Sequence, residues 1–375
     1  MNRHVLLRAA QACLAGLGLG TLVASSIPSK AYLKDLQVEY LTASAWRDGL
    51  SIFTPLTELS ARYFPVATDN FPHPSPHPPV LAPLSLPLTW LPFPVTVLLW
   101  LLVNVGLLIL AGRWLRLSLL ASLALLAWPP LWCLVNIGQL ELLILVLAMA
   151  GWRDADAGRD SRAGIWLGIA AAIKLYPALF LLPFLWRRRL RAVLAAGGVF
   201  VLSQLGGLLA VGPSGMIEYY TKILPSVSTF YSVRGLNAAP YGALLRLLGG
   251  AIDVSPLAHA PAPVVPLTVA LSLFALVALV RLAPPRAPVA TFVLLPTAWY
   301  YAVVLALPTV SDLLRVASRR RATLVAALCL SVPLPLVNLL VGLSARLPVA
   351  LLLALQPAGM VGLLALSLNA EREEI

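Results

Sequence analysis

The sequence predicts an all-α integral membrane protein, a bundle of about twelve transmembrane helices with two long external loops carrying amphipathic helices. Three observations carry that prediction. The chain of 375 residues is 60% hydrophobic and only 11% charged, where a soluble domain has about 25% charged residues. Stretches such as 93–111, 323–342 and 348–368 run about 20 residues without a charge, the length that crosses a bilayer core. The net charge is +12, and the arginines fall in short runs between apolar spans, as the positive-inside rule requires. That placement argues against nucleic acid as a partner.

The apolar runs follow in order at about 5–25, 93–111, 115–134, 140–152, 163–174, 177–186, 192–211, 263–280, 287–299, 301–314, 322–342 and 347–368. Several are shorter than a bilayer core of about 30 Å needs at about 1.5 Å per residue. Charge decides their arrangement. With both termini cytoplasmic, Arg187–Arg191 and Arg315–Arg321 lie inside. Reading 163–186 as a hairpin that turns at Lys174–Pro177 keeps both of its flanks inside. The N-terminus, basic and then apolar, has the look of a signal peptide. Its apolar stretch from Val5 is long for a signal core, so an uncleaved first span is expected. The whole chain, 1–375, reads as one membrane domain.

The three cysteines, Cys13, Cys133 and Cys329, have no paired spacing and read as small buried hydrophobes. His73 and His77 are four apart, but the prolines around them exclude the helix that would align them as metal ligands. No metal or other cofactor is expected.

The first external loop, 27–92, contains Asp35, Glu39, Asp48, Glu58 and Asp69. Its stretch Asp35–Phe64 has amphipathic helical spacing and is expected along the membrane surface, and "FPHPSPHPP" is expected as extended chain. The second external segment, 212–262, precedes the C-terminal spans of 263–368. Short spans beneath long external loops point to a cavity open to the outside, where non-helical backbone is tolerated.

Several stretches together resemble glycosyltransferase family 87. "NIGQLELLILVLAMAG" followed by "AGIWLGIAAAIKLYPALFLLPFLWRRRLRA" is similar to that family's Asn-x-Gly-Gln turn, apolar span, Gly-x-x-x-Gly, Lys-x-Tyr-Pro and Arg-rich stop. "KDLQVEYLTASAWRDG" looks like its Asp-initiated external loop. "SPHPPVLAPLSLPLTWLP" looks like its Tyr-Pro-Pro segment, with His77 where tyrosine is usual. "RGLNAAPYGALLRLL" is similar to its Asn-centred segment. "LLPTAWYYAVVLALP" looks like a turn where the family often shows histidine. The resemblance covers most of 30–315, and Lys-x-Tyr-Pro is its most specific part. It implies a GT-C-type fold, a polyprenyl-phosphate donor carrying mannose or a pentofuranose, and a glycan or glycolipid acceptor. It also implies a multi-pass protein of the bacterial plasma membrane with its site facing outside the cytoplasm.

Such transfer needs a base for the acceptor hydroxyl and cations for the departing phosphate. Asp35, at the start of the first external loop, is the expected base, supported chiefly by the resemblance; Glu39 at i+4 is the alternative. Asp48, Glu58 and Asp69 read as surface charges. Lys174 is the expected phosphate ligand, because a bare ammonium at membrane depth is costly and a phosphate offsets that cost. The competing readings are snorkelling to the interface or pairing with Glu141 or Asp312. Tyr176 is a hydroxyl donor to sugar or phosphate. Asn136 and Gln139 either read sugar hydroxyls or cap their turn. Arg234 is a second phosphate candidate, and Asn237 and His77 are counted with the sugar-binding set. Trp299, Tyr300 and Tyr301 read as an interfacial aromatic belt, with Tyr301 also placed to line the site. Two other classes compete: a six-plus-six transporter, and a lipid-linked polysaccharide polymerase or ligase.

Overall fold

A computed structural model describes residues 3–25, 32, 34–66, 71–234, 237–252, 254–316 and 346–373. Apart from two isolated bridges, these residues are helical or irregular. The predicted run 322–342, the arginines at 319–321, Cys329 and Asp69 lie outside them. Five helices are long and apolar enough to cross a membrane: His4–Ser25, Phe93–Trp114, Leu190–Ser232, Val264–Arg281 and Leu353–Glu371. Each overlaps a predicted run, with Leu190–Ser232 continuing well past the predicted end at 211, and the all-helical membrane class holds.

The remaining runs are not simple spans, and proline explains most of the differences. The run 115–134 is two helices, Leu119–Ala127 and Pro129–Ile137, bent by 85°. Trp128 between them is extended at ψ 118°, because Pro129 excludes helical backbone at the residue before it. The run 287–299 stops at Leu294, just before Pro296. After it the chain makes a 3-10 helix over Tyr300–Ala306 and an α-helix over Leu307–Val316. The helices Glu141–Asp156 and Asp160–Ile173 have 16 and 14 residues, about 21–24 Å of rise. The second external segment begins as helix: the chain kinks at Gly212 (φ 72°) and Pro213, then stays helical to Ser232.

The chain divides into two units. One comprises Met1–Ala150, Gly164–Leu175 and Leu194–Val227; the other comprises Gly151–Ala163, Tyr176–Val193 and Ser228–Ile375.

In the first unit, α1 (Arg3–Ser25) packs on the bent pair, and Phe93–Trp114 covers that pair from another side. Asp160–Ile173 meets Leu190–Glu218 where Gly168 leaves a gap: a Cβ there would lie 2.9 Å from the Ala196 carbonyl. Small residues are how membrane helices approach so closely. The expected surface helix over Asp35–Phe64 resolves into two, α2 (Gln37–Arg47) and α3 (Leu56–Tyr63). Most of α2 is buried, which corrects the membrane-surface expectation. Leu36, Leu41, Leu56, Leu59 and Phe64 form one apolar cluster with Phe93 and Val97. Burying them removes about 1.5–3 kcal/mol of exposure cost per large side chain. The proline tract is non-helical, as predicted, with bends at His73 and His77, and is laced to α3 through Leu56 N–H to the His73 carbonyl (3.0 Å) and Thr57 N–H to that of Phe71 (3.2 Å). Glu58 is exposed, and Asp48 accepts from Arg47 and Tyr63 at the surface. Cys133 is half-buried, but Cys13 faces outward, which corrects its buried reading.

In the second unit, Arg346–Glu373 packs against Ala287–Leu294 and Leu307–Val316. Arg286, only 2% exposed in its side chain, joins these elements through Asp312 at 2.7 Å and Glu371 at 2.6 Å. Tyr300 and Tyr301 are buried. They are not a lipid-facing belt, because the 3-10 turn points them into the protein.

Candidate active site

The first unit gathers a polar cluster at the turns that follow its apolar helices. Asp35 sits in the turn before α2 and accepts the Val38 N–H through its carbonyl at 2.9 Å. Helix Pro129–Ile137 ends at Gly138, whose φ of 80° is left-handed. Glycine is suited to that end for two reasons. It adopts positive φ without cost, and a Cβ would stand 3.0 Å from that of Leu36. The gap lets Leu36 N–H reach the Ile137 carbonyl at 3.2 Å, while Trp100 Nε1 donates to the Gly138 carbonyl at 2.9 Å. The Asn-x-Gly-Gln turn is thereby pressed against Asp35.

The side chains then form a chain of contacts. Gln139 Nε2 donates to Asp35 Oδ2 at 2.6 Å. Lys174 Nζ donates to Gln139 Oε1 at 3.1 Å and to Glu141 Oε1 at 2.5 Å. Lys34 Nζ donates to Asn136 Oδ1 at 2.6 Å, and Ser25 Oγ donates to the same oxygen at 2.5 Å. Lys174 sits just past the end of Asp160–Ile173, between that helix and the 3-10 helix that starts at Tyr176, within the stretch 174–177 where the hairpin turn is expected. Of the competing readings of that ammonium, the structure shows the pair with Glu141, the Lys174 side chain being 14% exposed. An ammonium has three donors, so one remains for a ligand. Glu141 Oε2 is buried and finds no hydrogen-bond partner among the described residues.

Asp35 is half-buried, and loss of water pushes its carboxyl up from the usual range to about 6. The Gln139 bond and the Lys174 charge hold it down, and the charges of Glu39 and Glu141 add to the rise. A carboxylate poised near neutral pH suits a general base.

Asp35, Asn136, Gln139 and Lys174 are thus brought together, and beside them Glu39 Oε1 stands 2.6 Å from His77 Nδ1. Tyr176, Arg234, Asn237 and Tyr301 belong to the second unit. There Arg234 lies over the Phe230 ring at 4.3 Å. Asn237 is buried and bonded on every side: Nδ2 to the Ser232 and Pro296 carbonyls, and Oδ1 from the Ala239 and Ala298 amides. Sequence reasoning missed Lys34. Its position directly before Asp35 was the available signal.

The profile of Glycosyltransferase family 87 matches residues 76–308. The chain is 29% identical over 201 residues to the polyprenol-phosphate-mannose-dependent alpha-(1-2)-phosphatidylinositol pentamannoside mannosyltransferase of Mycolicibacterium smegmatis, covering 51% of this chain and 48% of that one. It is 27% identical over 241 residues to a phosphatidylinositol mannoside mannosyltransferase of the same dependence and organism, covering 58% and 52%. The corresponding Mycobacterium tuberculosis protein is 29% identical over 237 residues, covering 56% and 53%. The chain therefore spans about half the length of the curated relatives it matches. No solved structure matches. With a profile match over more than half its length, the chain belongs to glycosyltransferase family 87.

Proposed function

We propose that the protein is a membrane glycosyltransferase of GT-C type. It moves mannose or a pentofuranose from a polyprenyl-phosphate donor to a glycan or glycolipid acceptor, on the external face of the plasma membrane. The observation that carries this reading is the joined cluster of Asp35, Gln139 and Lys174 within a chain of this family. The named relatives depend on polyprenol-phosphate-mannose and act on phosphatidylinositol mannosides, which favours mannose and a glycolipid acceptor.

In the reaction, the acceptor oxygen attacks the anomeric carbon and its proton passes to the Asp35 carboxylate. The bond from anomeric carbon to phosphate oxygen breaks, and polyprenyl phosphate leaves with the electron pair. Lys174 and Lys34 supply positive charge where that phosphate charge grows. Gln139 keeps the Asp35 carboxylate oriented and links it to Lys174. A sequestered hydroxyl-to-carboxylate transfer of this kind contributes about 10²–10⁴-fold in rate.

Full chain purified in detergent, given polyprenyl-phosphate-[¹⁴C]mannose and a phosphatidylinositol mannoside, tests the reading. Label should move to the glycolipid, and Asp35→Asn should stop it. Accumulation of free substrate inside vesicles without any transfer would instead identify a transporter.

A further inference from the structure

Glu39 lies four residues after Asp35 and turns its carboxylate toward the proline tract. His77 Nδ1 stands 2.6 Å from Glu39 Oε1, the two side chains being 14% and 6% exposed. Neither atom makes a hydrogen bond to any other group among the described residues, so each is the other's nearest polar contact. The pair edges a cavity of about 10 Å³, lined also by Thr42 and Ser75 and backed by the apolar Ile52 and Leu81. That volume admits about one water-sized group.

The hydrogen-bonding capacity left at this cavity is specific. Glu39 engages His77 through one oxygen and retains Oε2 as an acceptor. Ser75 Oγ accepts the His77 N–H at 3.2 Å and keeps its own hydrogen to donate. Thr42 Oγ1 spends its hydrogen on the Val38 carbonyl at 2.6 Å and offers only lone pairs. Acceptors and a donor thus stand side by side against an apolar wall. A single sugar hydroxyl, which is water-sized and both accepts and donates, asks for that arrangement. The carboxylate repels a phosphate, which is served instead by the lysines.

We propose that Glu39, His77 and Ser75 form a subsite for one hydroxyl of a sugar, held close to Asp35. His77 orients the Glu39 carboxylate, and Glu39 thereby serves as a binding group rather than a second base. The subsite rests on the glycosyl-transfer reading and names where that reaction grips carbohydrate. Donor and acceptor sugars present the same hydroxyl chemistry, so kinetics with each substrate varied in turn tells them apart.

The test measures transfer by the full chain in detergent while polyprenyl-phosphate mannose and phosphatidylinositol mannoside are varied separately. Glu39→Gln and His77→Gln should raise the KM of one substrate about tenfold, and Ser75→Ala about threefold, with kcat within about twofold. The substrate whose KM moves identifies the sugar held. Ser75→Ala, a small change, carries the test if the other two variants do not fold. Unchanged KM for both substrates, or a fall in kcat alone, overturns the subsite and leaves the transfer reading standing. A wild-type chain that transfers nothing overturns both together.

Discussion

Both units bury charge, and they treat it differently. In the second, Arg286 is clasped by two carboxylates, and Arg246, fully buried, donates to the Asn237 carbonyl at 2.6 Å and the Leu353 carbonyl at 3.1 Å. Each guanidinium is tied to backbone or side chains of other elements, so the cations act as fasteners. In the first unit, Asp35, Lys174 and Glu141 share partners and keep capacity in reserve. Asp35 is held near pH 6 by burial, Lys174 retains a donor, and the second oxygen of Glu141 accepts nothing among the described residues. Buried polar groups are normally satisfied, and perturbed, incompletely satisfied ones collect at functional sites. The second unit also leaves buried atoms without a hydrogen bond, Thr291 Oγ1 and Thr297 Oγ1 among them, so what separates the units is the clasped Arg286 against the shared charges of Asp35, Lys174 and Glu141.

The comparison breaks most visibly at Asp35. Asp35→Asn should lower transfer by about 10³-fold without lowering the melting temperature at pH 7. The sign follows from linkage. Its folded value of about 6 lies above the ordinary 3.8, so between about pH 4 and 6 the folded chain holds a proton that the unfolded chain has released. Stability therefore falls as pH rises through that window, and removing the charge relieves the cost. Arg286→Ala should do the opposite kind of damage, costing about 3–5 kcal/mol because it strands Asp312 and Glu371. Thermal unfolding in detergent reads that loss directly. Equal thermal sensitivity of the two variants would erase the distinction between the units.

Smaller changes sharpen it. Gln139→Leu should reduce kcat about tenfold. It should also move the acid limb of the rate profile to higher pH, because the lost hydrogen bond was lowering the Asp35 value. A rate profile superimposable on wild type would remove Gln139 from the base's surroundings. Gly138→Ala should cost about 1–2 kcal/mol for the left-handed backbone alone, seen as a lower melting temperature. It should also weaken transfer, since the Asn136–Gln139 turn would be pushed off Leu36.

Part of this site was legible from the residues. Asp35 stands first in its loop, the Asn-x-Gly-Gln stretch reads as a turn, and the turn expected at Lys174–Pro177 falls where the structure ends a helix. The long apolar runs named the long helices. The pairings were not legible. Lys174 meets Glu141 across 33 residues of sequence, and His77 meets Glu39 only because the proline tract folds back along α3. Such contacts are decided by packing between segments, and no local spacing encodes them. The tyrosines at 300 and 301 misled for a related reason: aromatic composition suggests an interface, but the 3-10 turn after Pro296 aims both inward. Lys34 was passed over because its neighbour Asn136 lies 102 positions away.

The central claim is that Asp35 is the base and works from a value near neutral pH. The dependence of kcat/KM for mannosyl transfer on pH, between about 4.5 and 8, tests it most directly. A rise with pH along a single-proton limb centred near 6, absent from the residual rate of Asp35→Asn, is the predicted result. A profile flat across that range, or the same limb surviving in the variant, contradicts it.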